Sequence, residues 1–232
     1  MALDSNASHC IVCKFRAGCF NTLSDKQLME ISSSKLKINY KKGETIRKQG
    51  SFTRGILYLS KGLTKVYREI DSIDQNSIVA FNTPGEMIGL ASLFADKVAQ
   101  FTVVAMTDCT LCCIEIESFQ SLLHDNGDFA VDIVQSINRQ NSLLLDYQIS
   151  NNHKQLHGRL AEAILNLSTH VFKSDSFNTS LSRGELAEYT NMSTMSVVRI
   201  LKSFKEDKIV KDKNGYITIL DREKLEQISR NG

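Results

Sequence analysis

The sequence predicts an α+β chain of two domains, an antiparallel β-domain followed by a winged helix-turn-helix, with a long helix between them. Three stretches carry this prediction. From Leu36 to Ile116, short β-runs are punctuated by Gly43, Gly50, Gly55, Gly62, Gly85 and Gly89, the pattern of an antiparallel barrel, sandwich or roll. From near Asp128 to about Asn152 the periodicity is helical. From Leu181 onward, two short helices flank Asn191-Met192-Ser193 and lead into two apolar strands around Asn214-Gly215, a strong hairpin signal.

A length of 232 residues suits two domains of ordinary size. The chain is 42% apolar and 23% charged, as globular proteins are. No apolar run approaches the roughly 20 residues of a membrane span. No basic-then-apolar leader opens the chain, so a cytoplasmic location and no membrane partner are expected. The net charge is only +2, but residues 154–232 hold 13 Lys/Arg against 10 Asp/Glu, and residues 193–213 hold six against three. This is a modest local bias toward phosphate. Without an export signal, the six cysteines point to metal binding or redox chemistry rather than to a disulfide scaffold. Catalysis is not expected: no general base is evident, and His9, His124, His153, His157 and His170 have neither ligand nor triad spacing.

In chain order, residues 1–9 read as a frayed polar lead-in. Cys10, Cys13 and Cys19 follow, three thiols within ten residues, which can wrap one small centre. A fourth ligand has to come from elsewhere, and Cys109, Cys112 and Cys113 flank or lie within the apolar strand Thr110–Ile116. Cys112 and Cys113 must face opposite sides of that strand, so only one of them can reach the N-terminal loop. Leu23–Ile31 reads as a helix capped by Ser24. The single proline, Pro84, sits in a turn between strands, where its missing donor does no harm. A short helix is expected over Ser118–His124, with Asp125-Asn126-Gly127 interrupting it. On the long helix, Phe129, Ile133, Ile137 and Leu144 form a stripe with Gln140 in its middle. Such a stripe packs on its own domain or on the same helix of a second chain, and these five residues are the expected dimerisation seam. Asn151-Asn152 is the expected hinge. Leu156–Thr169 is a further helix, Phe172–Thr179 a polar loop, and Asp221–Arg230 a closing amphipathic helix. The domains are therefore 1–125, 126–152 and 153–232.

The helix-turn-helix is read from its caps. Ser182 with Glu185 three residues later makes a capping box, and Ser193 can cap the second helix. Val197, Ile200, Leu201 and Phe204 are that helix's apolar face, which leaves Thr194, Ser196, Arg199, Lys202 and Lys205 outward. This geometry offers hydroxyls and cations to a major groove. Arg199 is expected to read bases, with Thr194, Met195, Ser196 and Val198 lining the groove. Ser182, Arg183, Lys202 and Lys211 are expected to contact phosphate. A helical hairpin in an unrelated core is the competing interpretation, and the adjoining hairpin argues against it.

The order of elements resembles the CRP/FNR family of bacterial transcription regulators over essentially the whole chain. Lys42-Gly43-Glu44-Thr45-Ile46, Leu57–Gly62, Thr83–Gly89 and the helix-turn-helix carry the resemblance. It implies a β-roll of the cyclic-nucleotide-binding, double-stranded jelly-roll type, a long dimerisation helix and a winged helix-turn-helix. The implied partners are a second copy of the chain, a double-stranded DNA operator with two half-sites, and RNA polymerase. The Cys-x2-Cys-x5-Cys run resembles the FNR branch, where three such cysteines and a distant one hold an oxygen-labile [4Fe–4S] cluster. By the family's frame, with Phe119 as reference, the fourth ligand here is Cys112, with Cys113 and Cys109 as substitutes. Air-purified protein is expected to lack the cluster. The family's nucleotide pocket corresponds here to Gly85, Glu86, Gly89, Leu90, Gln100 and Phe101. Leu90 stands at the ribose-binding glutamate and Gln100 at the phosphate-binding arginine, so cyclic AMP is not the expected ligand. In the recognition helix, Met195 and Val198 replace the branch's glutamate and serine, whereas Arg199 matches its guanine-reading arginine. The alternatives are the same regulator with a zinc or thiol switch, or with another ligand such as haem in the roll, and an iron–sulfur electron carrier.

Overall fold

A computed structural model of the chain describes residues 2–3, 10–13, 15–16, 18–70, 75–90 and 97–232. These divide into two compact units, Met1–Glu69 with Ala80–Ser142, and Ile70–Val79 with Leu143–Gly232. The architecture is α+β, with an antiparallel β-roll and a C-terminal helix-turn-helix.

In the first unit, α1 (Asp25–Ser34) starts at Ser24, whose hydroxyl accepts from the Gln27 backbone N–H while the Gln27 side chain returns to the Ser24 N–H. The helix buries Leu28 and Ile31. Two sheets form the roll. One has the order β1 (Ala2–Leu3), β2 (Leu36–Tyr40), β9 (Cys109–Glu115), β4 (Gly55–Lys61), β7 (Met87–Ile88). The other runs β3 (Thr45–Arg47), β8 (Thr102–Ala105), β5 (Thr64–Ile70), β6 (Gln75–Asn82). Ala2–Leu3 pairs with Ile38 and Asn39, so part of the expected lead-in is a strand; residues 4–9 lie outside the described residues.

Strand β9 positions the site. It sits between β2 and β4, with Leu111 opposite Ile38 and Leu59, and Cys112 opposite Lys37 and Tyr58. Side chains alternate across a strand. Cys109, Leu111 and Cys113 therefore join Ile38, Tyr40, Leu57 and Val103 on one face. Cys112 and Ile114 join Phe20, Leu28, Ile31, Tyr58 and Phe119 on the other.

The second cluster also receives α2 (Ile116–Asp125) and the start of α3 (Gly127–His153). Phe129 packs edge-on against Phe119 at 5.4 Å and lies 6.1 Å from Phe20. Phe129 and Ile133 are fully interior, and Ile137 packs against them. This corrects the expected dimer stripe: Phe129, Ile133 and Ile137 cover their own roll. Periodicity identifies an apolar face but not what covers it. The exposed apolar side chains of α3 are Val131, Val134, Leu143, Leu145 and Ile149, while Gln140 and Leu144 are half-buried. The backbone of α3 stays helical through the expected hinge to His153.

In the second unit, α4 (Leu156–Asn166) continues as a wider turn over Leu167–Phe172 and packs on α7 (Arg222–Asn231). Gly158 lets the two close up: a Cβ there would lie 2.7 Å from the Gly232 carbonyl oxygen. α5 (Arg183–Thr190) and α6 (Thr194–Glu206) follow, then β11 (Val210–Lys213) and β12 (Tyr216–Ile219). Asn214 and Gly215 both adopt positive φ, 54° and 79°, as a two-residue hairpin turn requires. The expected loop after Phe172 contains a strand, β10 (Ser176–Asn178), which pairs with β12 and widens the wing to three strands. Phe177 anchors it, stacked at 4.8 Å on Phe172.

Candidate nucleic-acid interface and metal centre

Capping fixes the helix-turn-helix. Ser182 accepts from the Glu185 N–H, and the Glu185 carboxylate accepts from the Ser182 N–H. Asn191 closes α5 in the left-handed region, φ 49° and ψ 51°, with its N–H on the Ala187 carbonyl. Ser193 then accepts from the Ser196 N–H to open α6. Val197, Ile200, Leu201 and Phe204 are buried beneath α6. A β-branched residue tolerates φ > 0 poorly. Asn191→Val is therefore expected to destabilise the second unit by about 1–3 kcal/mol, and Asn191→Gly by far less, measured by urea unfolding.

The outward side of α6 presents Thr194, Met195, Val198, Arg199 and Lys202, with Met195 83% exposed. Ser196 is half-buried and its hydroxyl meets that of Ser193 at 2.9 Å. Lys202 lies 3.8 Å from Glu206 one turn on, a surface pair that phosphate can displace at little cost. Lys211 is exposed on the wing. Arg183 departs from the expected phosphate role. Its guanidinium bonds Asp212 Oδ2 at 2.5 Å, the carboxylate is 8% exposed, and one nitrogen is buried without a hydrogen-bond partner. Arg183 thus ties α5 to the wing. The pairing joins positions 29 residues apart, which no local pattern marks.

In the first unit, Cys10, Cys13 and Cys112 line one pocket, open at its mouth and enclosing about 30 Å³, together with Lys35, Phe20 and Tyr58. Three bonds seat the N-terminal loop there. The Cys10 N–H donates to Ser32 Oγ at 2.7 Å, Lys35 Nζ donates to Cys10 Sγ at 3.2 Å, and Tyr58 Oη donates to the Phe15 carbonyl at 2.7 Å. Cys19 does not line the pocket; it packs against the same apolar cluster. Burial pushes the Cys19 thiol up to about 12, and Asp132 adds to the rise. Burial also raises Cys112, and the Lys35 charge opposes the rise. Cys109 and Cys113 face the other cluster; Cys109 Sγ donates to the Leu63 carbonyl at 3.3 Å. Among the described residues, no three His, Cys, Asp or Glu side chains close on a single metal ion.

The positions matching the family's nucleotide pocket differ in exposure. Leu90 is part of the apolar core, Gln100 is exposed and Phe101 half-buried. Glu86 accepts from the Thr83 N–H at 2.7 Å, while Gly85 and Gly89 take positive φ. Gln100 leaves the family's arginine position without a cation, but the fold brings Arg47 to Gly89 from another strand. Arg47 Nη2 donates to the Gly55 carbonyl at 2.7 Å, and a Cβ on Gly89 would fall 2.0 Å from Arg47 Nη1. An arginine in a short strand reads as surface, and only packing reveals it.

An outward, basic recognition helix beside a wing on a capped helix-turn-helix defines a DNA-binding transcription regulator. The comparisons agree. Residues 37–126 match the cyclic nucleotide-binding domain and residues 158–228 the Crp-like helix-turn-helix domain. The chain belongs to the CRP/FNR family of transcription regulators. It is 24% identical to the fumarate and nitrate reduction regulatory protein of Vibrio cholerae, covering 96% of this chain and 91% of that one. It is also 24% identical to electron transport regulator A of Shewanella oneidensis, over 99% and 94%. In fold it is similar to a CRP/FNR-family regulator from Eubacterium rectale (TM-score 0.76, 20% identity, 94% of this chain and 100% of that one). It is likewise similar to FixK2 from Bradyrhizobium japonicum (TM-score 0.75, 16% identity, 83% and 96%). These relatives are regulators, not enzymes. No helix among the described residues is long and apolar enough to cross a membrane.

Proposed function

We propose that the protein is a homodimeric, oxygen- or redox-responsive regulator whose thiols hold an iron–sulfur cluster and whose DNA affinity follows the state of that site. The observation that carries this reading is the gathering of Cys10, Cys13 and Cys112 around one pocket, with Cys19 against the same core. A single zinc ion needs its donors converged on one point. Three thiols lining one pocket, with a fourth against the same core, match in number the four-thiolate ligation of an iron–sulfur cluster. Cys10, Cys13, Cys19 and Cys112 would hold a [4Fe–4S] cluster, which supplies oxygen-sensitive redox chemistry when bound. The names of the relatives, concerned with fumarate and nitrate reduction and with electron transport, favour the same direction. Cyclic AMP is not the ligand in this reading, since Leu90 is turned into the core and Gln100 is exposed.

The chain's own residues supply a route from thiols to helix. Phe20, next to Cys19, packs edge-on against Tyr58 at 4.9 Å and lies beside Phe129 of α3. A loop held by ligated thiols fixes Phe20, and Phe20 and Phe119 together fix how α3 leaves the roll. Val131, Val134, Leu145 and Ile149 of α3 would then meet a second copy, with Arg199 of each copy reading one half-site. Val134→Asp is expected to leave the protein folded and monomeric by sedimentation, with operator affinity reduced by about 100-fold or more, as follows when two linked contacts become one.

Anaerobic purification with iron and sulfide analysis tests the reading. A broad visible absorption that bleaches in air, with iron and sulfide in equal amounts, supports it. No iron under strict anaerobiosis would overturn the cluster while leaving the regulator.

A further inference from the structure

Lys35 is out of place by its chemistry. It is 8% exposed, and lysine is almost never buried unless something compensates its charge. It lies at the C-terminal cap of α1, its N–H on the Ile31 carbonyl, where a cation also favours the helix dipole. Its side chain does not run out to solvent from there. It turns inward, lines the pocket with Cys10, Cys13 and Cys112, and bonds Cys10 Sγ at 3.2 Å. Ser32, one turn earlier, takes the Cys10 N–H and itself donates to the Leu28 carbonyl at 2.8 Å. The last turn of α1 thus holds Cys10 by backbone and by sulfur.

We propose that Lys35 is a positioning residue for the thiolate-held group: its ammonium fixes Cys10 Sγ and places a positive charge over the pocket, which retains the iron–sulfur group and protects it from oxidation. This rests on the cluster reading above. Four thiolates around an iron–sulfur core leave a net negative assembly, and burying a negative charge is costly unless a cation accompanies it. A hydrogen bond to a coordinating sulfur and a nearby positive charge both raise the reduction potential of such a group. When bound, the group would be open to one-electron removal by dioxygen, which would become superoxide. A cation held at Cys10 makes that removal harder. Partners of metal ligands in this position are worth about 10- to 100-fold in metal retention.

The test compares full-length wild type, Lys35→Met and Lys35→Arg, all purified anaerobically. Met keeps the length and burial without the charge, and Arg keeps the charge. The readouts are iron and sulfide content, the midpoint potential, and the rate at which the visible band is lost in air-saturated buffer. The melting temperature of the iron-free proteins is measured alongside. The expected result is a lower potential and a band lost about tenfold faster in Lys35→Met, near wild-type values in Lys35→Arg, and an iron-free melting temperature that does not fall in Lys35→Met. Equal potential and equal loss in wild type and Lys35→Met would overturn the role of Lys35 alone. Loss of stability in iron-free Lys35→Met, with the potential unchanged, would make the residue merely structural. Wild type without iron or sulfide would overturn the cluster reading and this proposal together.

Discussion

Cys112→Ser is expected to abolish iron and sulfide binding, whereas Cys113→Ser is expected to keep both. The two thiols are neighbours in sequence and differ only in strand parity. Cys112 faces the pocket with Cys10 and Cys13. Cys113 faces the opposite cluster, where its sulfur would lie 2.6 Å from a Cβ on Gly55. A serine hydroxyl remains protonated where a thiol would ionise, so it does not replace a thiolate ligand. The cost at Cys113 is packing alone, about 1 kcal/mol of stability. Cys109→Ser belongs with Cys113, since Cys109 is sealed under the Leu63 carbonyl. Iron and sulfide analysis of the anaerobic proteins decides it: loss in Cys113→Ser with retention in Cys112→Ser would reverse the ligand assignment.

Arg199→Ala is expected to weaken operator binding by about 1–3 kcal/mol at each half-site, the value of a bidentate arginine–guanine contact, and to relax discrimination at that base. Arg199 is exposed on α6, whose buried face is Val197, Ile200, Leu201 and Phe204, so the substitution removes no core contact. Lys202→Ala provides the contrast. It is expected to weaken all sequences alike and to lower the salt dependence by about one ion per protomer. Binding of Arg199→Ala as tight as wild type, in a fluorescence titration against operator DNA, would remove α6 as the reading helix.

The parts of this protein written in local chemistry were legible in the sequence. Ser182 with Glu185, Ser193 and Asn214-Gly215 each specify a cap or a turn within four residues, and the helix-turn-helix and hairpin follow from them. The β-rich stretch and the spacing of Cys10, Cys13 and Cys19 were legible for the same reason. What depends on distant partners was not. Phe129 and Ile133 carry the right periodicity for a dimer seam, yet Phe20 and Phe119 claim them. β10 has one apolar residue in three, Phe177, and exists because β12 offers it an edge. Arg183, Arg47 and Lys35 are cations that a sequence assigns to solvent; only the fold turns them toward Asp212, Gly55 and Cys10. Strand alternation separated Cys112 from Cys113, but the face that meets the N-terminal loop is set by how β9 lies between β2 and β4.

The most direct measurement is the binding of one operator duplex by the same protein preparation before and after exposure to air, with the iron content followed in parallel. The account predicts a dimer protecting two half-sites one helical turn apart under anaerobiosis, with protection and iron lost together in air. Equal protection before and after the iron has gone would contradict it, because the DNA-binding unit would then be indifferent to the thiol site.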